Sequence, residues 1–181
     1  DQENIEDGLQ ASIDAGLQPI LYPTVTLPNW GGSQLWDNAA GGRVTIKDPD
    51  QWFNDYTDII TTHAMLADKY DLPYLSIGCE LGTITESHAE QWNTLIDGVK
   101  AIYDGPLMYS SHVDPRWNSF EPKDLVFYDK IDVIGFNLYL ETNSAGNDLT
   151  HIVEAAGKPV MFTEYGFAGP NQDLAFNEFL A

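Results

Sequence analysis

Apolar positions along the chain alternate between helix-like spacing and short continuous runs. Spacing typical of amphipathic helices recurs at about 5–13, 49–66, 90–102, 149–153 and 174–180. Continuous apolar runs predict buried strands at about 18–25, 73–79, 106–111, 131–139 and 159–166. Helices that regularly separate buried strands predict right-handed βα units and a parallel sheet, which is an α/β fold.

Two of the predicted helices carry recognisable start signals. Asp48 directly precedes Pro49, and proline is favoured at the first position of a helix. Ser87 and Glu90 have the spacing of a capping box, so we expect the Ser87 side chain to cap the helix that follows.

Two α/β architectures satisfy this order of elements, a (β/α)8 TIM barrel and a doubly wound open sheet. No glycine-rich dinucleotide fingerprint or phosphate-binding loop follows any predicted strand. Polar and aromatic residues instead follow nearly all the strands, which is typical of the functional end of a TIM barrel. We therefore predict that residues 1–181 form a single (β/α) barrel domain.

Composition restricts the class of ligand. The chain has 8 Lys and Arg against 28 Asp and Glu, a net charge of −20. Such a charge repels nucleic acid and anionic lipid, and no apolar run reaches membrane-spanning length. We therefore expect a neutral or cationic ligand and neither a nucleic-acid nor a membrane partner. The composition leaves the oligomeric state open.

Two of the apolar runs end in a glutamate. Residues 74–79 lead into Glu80, and residues 159–163 lead into Glu164. Placing a carboxylate behind a buried run is costly unless the carboxylate is used or paired, and few basic residues are available for pairing. Two carboxylates that precede loops are what a glycoside hydrolase requires.

The sequence around these glutamates resembles the retaining glycoside hydrolases of clan A, most closely the β-mannanases whose acid/base strand reads Ile-Gly-Thr-Glu. The resemblance covers nearly the whole chain. It rests on the run Ile77-Gly78-Cys79-Glu80-Leu81, the helix before it at 52–70, and the strands at 131–139 and 159–166.

In that clan the acid/base follows barrel strand 4 and the nucleophile follows strand 7. The resemblance therefore implies that Glu80 is the acid/base and Glu164 the nucleophile, with two predicted strands between them. Counting back makes the first visible strand strand 3, so the chain would supply about strands 3 to 7 of a partial barrel. We expect an excerpt of a longer chain, with strands 1, 2 and 8 missing.

The activity implied is cleavage of a β-linked polysaccharide or oligosaccharide, β-mannan first, by a retaining double displacement that needs no cofactor or metal. An extracellular location would suit an acidic enzyme with a polymeric substrate. Three alternatives stay open: a catalytically inactive carbohydrate-binding barrel, a β-glucan-specific hydrolase of the same clan, and a metal-dependent barrel enzyme. The last would need two or more His or Asp ligands at strand ends, and of the four histidines only His112 is well placed.

Further candidates surround the two glutamates. Tyr139 matches the clan's tyrosine that bonds the nucleophile, although a core tyrosine is the alternative. Asn137 could face the same site or satisfy a strand end, and His112 could contact sugar hydroxyls or Glu80 or lie in a plain loop. Tyr165 could line the cleft or fill the barrel top. Cys79 stands where relatives have Asn or Thr, and a thiol is a poor donor to a sugar 2-hydroxyl.

The relatives carry Lys and His near a proline in strand 3, where this chain has Tyr22-Pro23-Thr24-Val25-Thr26. Mannan specificity therefore has weaker support in the sequence than the catalytic class.

The five tryptophans divide by context. Trp30, Trp36 and Trp117 lie in predicted loops, where indole faces could stack on sugar rings. Trp52 and Trp92 lie on apolar helix faces and are predicted to be core residues.

Overall fold

The computed structural model describes residues 2–25, 48–114, 119–141 and 150–168. The helices in these ranges are α1 Gln2–Asp14, α2 Pro49–Lys69, α3 Ala89–Lys100 and α4 Thr150–Ala156. The strands are β1 Leu75–Cys79, β2 Leu107–Asp114, β3 Ser119–Phe120, β4 Val133–Glu141 and β5 Val160–Ala168.

Four of the strands form a parallel sheet in the order β1-β2-β4-β5, and the short β3 pairs antiparallel with β2. The spatial order of the parallel strands follows the chain order, as in the wall of a barrel. Helices connect successive long strands, except between β2 and β4, where the described connection contains β3 and 3₁₀ turns. The predicted parallel α/β arrangement is therefore confirmed.

The strand predicted at 18–25 is reduced to a single parallel bridge between Leu21 and Leu75. The Leu21 carbonyl accepts a hydrogen bond from Ser76 N at 3.0 Å. Pro19 and Pro23 flank this bridge and carry no N–H, so the ladder cannot extend through them. The segment still occupies the place next to β1 that the barrel order requires.

One start signal is confirmed and the other is wrong. The Asp48 side chain caps α2 by accepting from Gln51 N at 3.1 Å. The predicted cap at Ser87 does not form, because α3 begins one residue later with His88 at the cap position. His88 adopts a left-handed conformation with φ of 60°, and the Ser87 hydroxyl lies 2.7 Å from its Nδ1.

An aromatic cluster joins the helices to the sheet. Trp92 is fully buried and packs against Phe127 and Phe53, with ring centroids 4.5 and 5.3 Å away. Its Nε1 donates to the Ile84 carbonyl at 2.8 Å. Trp52 is only partly buried and packs against the rim of this core. Both predicted core tryptophans therefore contribute to packing, Trp92 the more completely.

Replacing Trp92 with alanine is expected to lower the free energy of unfolding by about 3–5 kcal/mol, because it leaves a large cavity and an unpaired Ile84 carbonyl. Urea titration of the whole protein measures the loss. Trp52→Ala is the matched control and should lose less. Equal losses for the two variants would contradict the burial difference.

In the described parts of the chain, no helix combines the length and apolar character needed to cross a membrane.

Candidate active site

The residues of interest lie at one level of the parallel sheet, from the end of β1 to the middle of β5. Glu80 directly follows β1, and Glu164 lies in β5 opposite Asn137 of β4. Asn137 in turn lies opposite His112 of β2. Because these residues are register partners in neighbouring parallel strands, residues far apart in sequence come together here.

The backbone of Glu80 is held in an uncommon conformation. Its φ of 46° lies in the left-handed region, which residues other than glycine seldom adopt. Glu80 N donates to the Ser110 carbonyl at 2.9 Å, and Leu81 N donates to the Tyr109 hydroxyl at 2.8 Å. These two bonds on consecutive residues fix the turn, and maintained backbone strain of this kind is common at functional sites.

Gly78 of the quoted motif allows a close approach behind this turn. A Cβ at Gly78 would lie 2.8 Å from Leu81 Cδ1 and 3.0 Å from the Tyr56 hydroxyl. That hydroxyl donates to the Ile77 carbonyl at 2.8 Å. Any larger residue at Gly78 would therefore displace the groups that secure the end of β1.

Asn137 is completely buried and uses both ends of its amide. Its Nδ2 donates to Glu80 Oε1 at 2.8 Å. Its Oδ1 accepts from Thr163 Oγ1 at 2.8 Å and lies 3.1 Å from the Tyr22 hydroxyl. His112 Nδ1 lies 3.7 Å from the same Glu80 oxygen, as an ion pair whenever the imidazole is protonated. Two side chains from neighbouring strands thus orient Glu80.

Glu164 accepts a hydrogen bond from Tyr22, whose hydroxyl lies 3.0 Å from Oε1. The same hydroxyl lies 2.8 Å from Cys79 Sγ. Burial raises the pKa of Tyr22, and burial also raises the pKa of Cys79 to about 11. Both side chains are therefore protonated at neutral pH, and both can act as hydrogen-bond donors.

The sequence profile of Glycoside Hydrolase Family 113 matches residues 1–172. The chain belongs to this family. The predicted resemblance to β-mannanase-like hydrolases of clan A is thereby confirmed. No curated protein matches the chain.

Several solved structures are similar in fold to the family 113 chain. A GH113 β-1,4-mannanase complex matches with a TM-score of 0.71 and 23% identity, over 92% of this chain and 52% of that one. The GH113 β-mannanase AaManA from Alicyclobacillus acidocaldarius, in complex with ManMIm, matches with a TM-score of 0.71 and 23% identity, over 91% and 51%. A cellulase, Cel5C_n, matches with a TM-score of 0.60 and 14% identity, over 98% and 53%.

These likenesses confirm the predicted partial (β/α)8 barrel. The family 113 chain spans about half the length of the structures it matches. With Leu21 beside β1, the parallel segments occupy the successive places expected for strands 3 to 7.

Two predicted site residues, Cys79 and Tyr165, pack against other protein groups. Cys79 is buried against Tyr22 and Asn137, which leaves little room for the expected sugar contact. Tyr165 lies opposite Leu138 and packs against the hydrophobic core, which favours the packing alternative over a place in the cleft.

The remaining candidates fall outside the described part of the structure. Trp30, Trp36 and Trp117 lie outside the described residues. The backbone of Tyr139 pairs with Gly166 in the sheet, but its side chain lies outside the description. Stacking by the tryptophans and a bond from Tyr139 to the nucleophile stay predictions.

Tyr22 is the site residue that sequence reasoning missed. The available signal was that the strand-3 segment containing Tyr22 lacks the relatives' Lys and His, and this difference was interpreted only as a change in specificity. Within the described ranges, no three His, Cys, Asp or Glu side chains are grouped so that they could hold a metal ion.

Proposed function

We propose that this family 113 protein hydrolyses β-linked polysaccharides or oligosaccharides of the mannan type and retains the anomeric configuration. The observation that carries the proposal is a pair of carboxylates that both connect to Asn137: Glu80, directly after β1, and Glu164, within β5. Glu80 accepts from Asn137 directly, and Glu164 shares the Tyr22 hydroxyl with the Asn137 carbonyl. Fixed hydrogen-bond donors on both carboxylates support preorganised acid/base and nucleophile roles.

In the first step, Glu164 attacks the anomeric carbon while Glu80 gives its proton to the departing glycosidic oxygen. The bond to the leaving sugar breaks, and an ester forms between the sugar and Glu164. In the second step, Glu80 takes a proton from water as the water oxygen attacks the anomeric carbon. The ester breaks, Glu164 leaves as a carboxylate, and Glu80 is protonated again.

Mannan is the first choice of substrate because two of the matched family 113 structures are β-mannanases. The net charge of −20 supports a neutral glycan and disfavours nucleic acid or anionic lipid as a partner. A polymeric substrate of this kind supports an extracellular location for the protein. A β-glucan-specific hydrolase is the second candidate, favoured by the likeness to a cellulase.

Proton NMR of the whole protein acting on mannooligosaccharides tests both parts of the proposal. The β-anomer of the product should appear first and convert slowly to the equilibrium mixture, and mannooligosaccharides should be cleaved faster than cellooligosaccharides. An initial α-anomer would overturn the retaining mechanism. Faster cleavage of cellooligosaccharides would favour a β-glucan-specific hydrolase. Binding of the oligosaccharides without cleavage would favour an inactive carbohydrate-binding barrel.

A further inference from the structure

The Tyr22 hydroxyl contacts three polar groups but has only one proton to donate. Its oxygen lies 2.8 Å from Cys79 Sγ, 3.0 Å from Glu164 Oε1 and 3.1 Å from Asn137 Oδ1. A phenol can donate once and accept through its oxygen, so the chemistry of the three neighbours decides which bond uses the proton.

The proton is directed to Glu164. A carboxylate is the strongest acceptor of the three, because bonds to an ionised oxygen are about twice as strong as neutral ones. Asn137 Oδ1 competes less well, since it already accepts from Thr163 Oγ1 at 2.8 Å. The phenol oxygen is then left as an acceptor facing Cys79.

Cys79 fits the complementary role of donor to Tyr22. Its thiol is buried, and burial raises its pKa to about 11, so the S–H proton is retained at neutral pH. Its sulfur also lies 3.4 Å from Asn137 Nδ2, which donates toward it. Sulfur therefore accepts from Asn137 and donates to Tyr22.

We propose a one-directional hydrogen-bond relay in which Cys79 acts through Tyr22 to position the nucleophile. Its members are Asn137, Cys79, Tyr22 and Glu164. The relay runs from the Asn137 amide to the thiol, from the thiol to the phenol, and from the phenol to the carboxylate. The other N–H of Asn137 donates to Glu80, so one buried amide orients both carboxylates. The inference rests on the proposed function, because it assigns Tyr22 and Cys79 as positioning residues for that reaction.

The contribution of Tyr22 should be largest in the rate of the second chemical step. There Glu164 leaves as a carboxylate, and the Tyr22 donor stabilises the returning charge. With dinitrophenyl β-mannobioside, whose activated leaving group makes the first step fast, Tyr22→Phe should lower kcat by about 10- to 100-fold. KM should fall together with kcat because the glycosyl-enzyme accumulates. A purely structural defect would not lower KM.

Variants at Cys79 test its action through Tyr22. Cys79→Ala should lower kcat by about 3- to 10-fold, as expected for the loss of one neutral hydrogen bond. Cys79→Ser keeps a donor of similar size and should restore most of the activity. In the double variant with Tyr22→Phe, Cys79→Ala should add less than about twofold, because the residue it acts through is gone.

Tyr103→Phe is the matched control. Tyr103 is also buried, and its hydroxyl donates to the Leu72 carbonyl at 2.7 Å, before the start of β1 and thus at the opposite end of the strand from Glu80. This variant should leave kcat and KM unchanged. If Tyr22→Phe does not fold, the relay is tested by comparing kcat of Cys79→Ala with kcat of Cys79→Ser. Equal values for those two variants would overturn the relay.

Glu164→Ala, measured in the same assay, distinguishes a failure of the proposed function from a failure of the relay. Full activity of Glu164→Ala would overturn the proposed function itself. If Glu164→Ala loses activity, two results would overturn the relay while leaving the proposed function in place. One is unchanged kcat and KM in Tyr22→Phe, and the other is additive effects of the Tyr22 and Cys79 substitutions.

Discussion

Glu164→Ala is expected to lower kcat/KM for mannooligosaccharides on the order of 10⁵-fold, because it removes the group that forms the covalent intermediate. The shorter side chain also leaves space at the nucleophile position, where a small anion can enter. With dinitrophenyl β-mannobioside and added azide, activity should return in part. Azide attacks from the side that Glu164 occupied, so the product should be the α-mannobiosyl azide, identified by proton NMR.

Glu154→Ala provides the control for Glu164→Ala. Glu154 is an exposed carboxylate on α4, the helix that precedes β5, and its loss should leave kcat/KM unchanged. Retention of more than a tenth of the activity by Glu164→Ala would contradict the nucleophile assignment. A β-configured azide product from Glu164→Ala would contradict it as well, since azide would then have entered from the opposite face.

The order of the barrel strands could be predicted because it depends on local patterns. The apolar runs that end in Glu80 and Glu164 became β1 and the first part of β5 in the expected order. The Asp48 cap was also predictable, since capping involves neighbours in sequence. The predicted Ser87 cap was wrong by one residue because α3 begins after His88, whose left-handed backbone the capping pattern does not include.

The partners of the site residues could not be predicted in the same way. Tyr22 and Glu164 are 142 residues apart in sequence, and only the tertiary fold brings them into contact. Cys79 was a candidate for substrate binding because many clan members contact the sugar 2-hydroxyl from that position, although a thiol is a poor donor for this contact. In this chain the thiol contacts Tyr22 instead, so the two departures from the relatives lie side by side. Their proximity arises from the fold and cannot be inferred from either departure in the sequence alone.

The effect of Glu80→Ala should depend on the leaving group. Loss of a general acid typically costs about 10²- to 10⁴-fold, and we expect that loss with mannooligosaccharides, whose sugar leaving group needs a proton. With dinitrophenyl β-mannobioside the first step needs no proton and should stay fast. The second step should be slow because no base activates water, so a burst of dinitrophenol should precede slow turnover.

Azide should accelerate the slow turnover of Glu80→Ala, because an anion needs no general base. It attacks the glycosyl-enzyme from the side that Glu80 occupied, and the product should be the β-mannobiosyl azide, opposite to that from Glu164→Ala. The control is Glu86→Ala, an exposed carboxylate six residues further along the chain, which should show no burst and no azide effect. If the two azide products were exchanged between Glu80→Ala and Glu164→Ala, the roles of the two carboxylates would have to be exchanged as well.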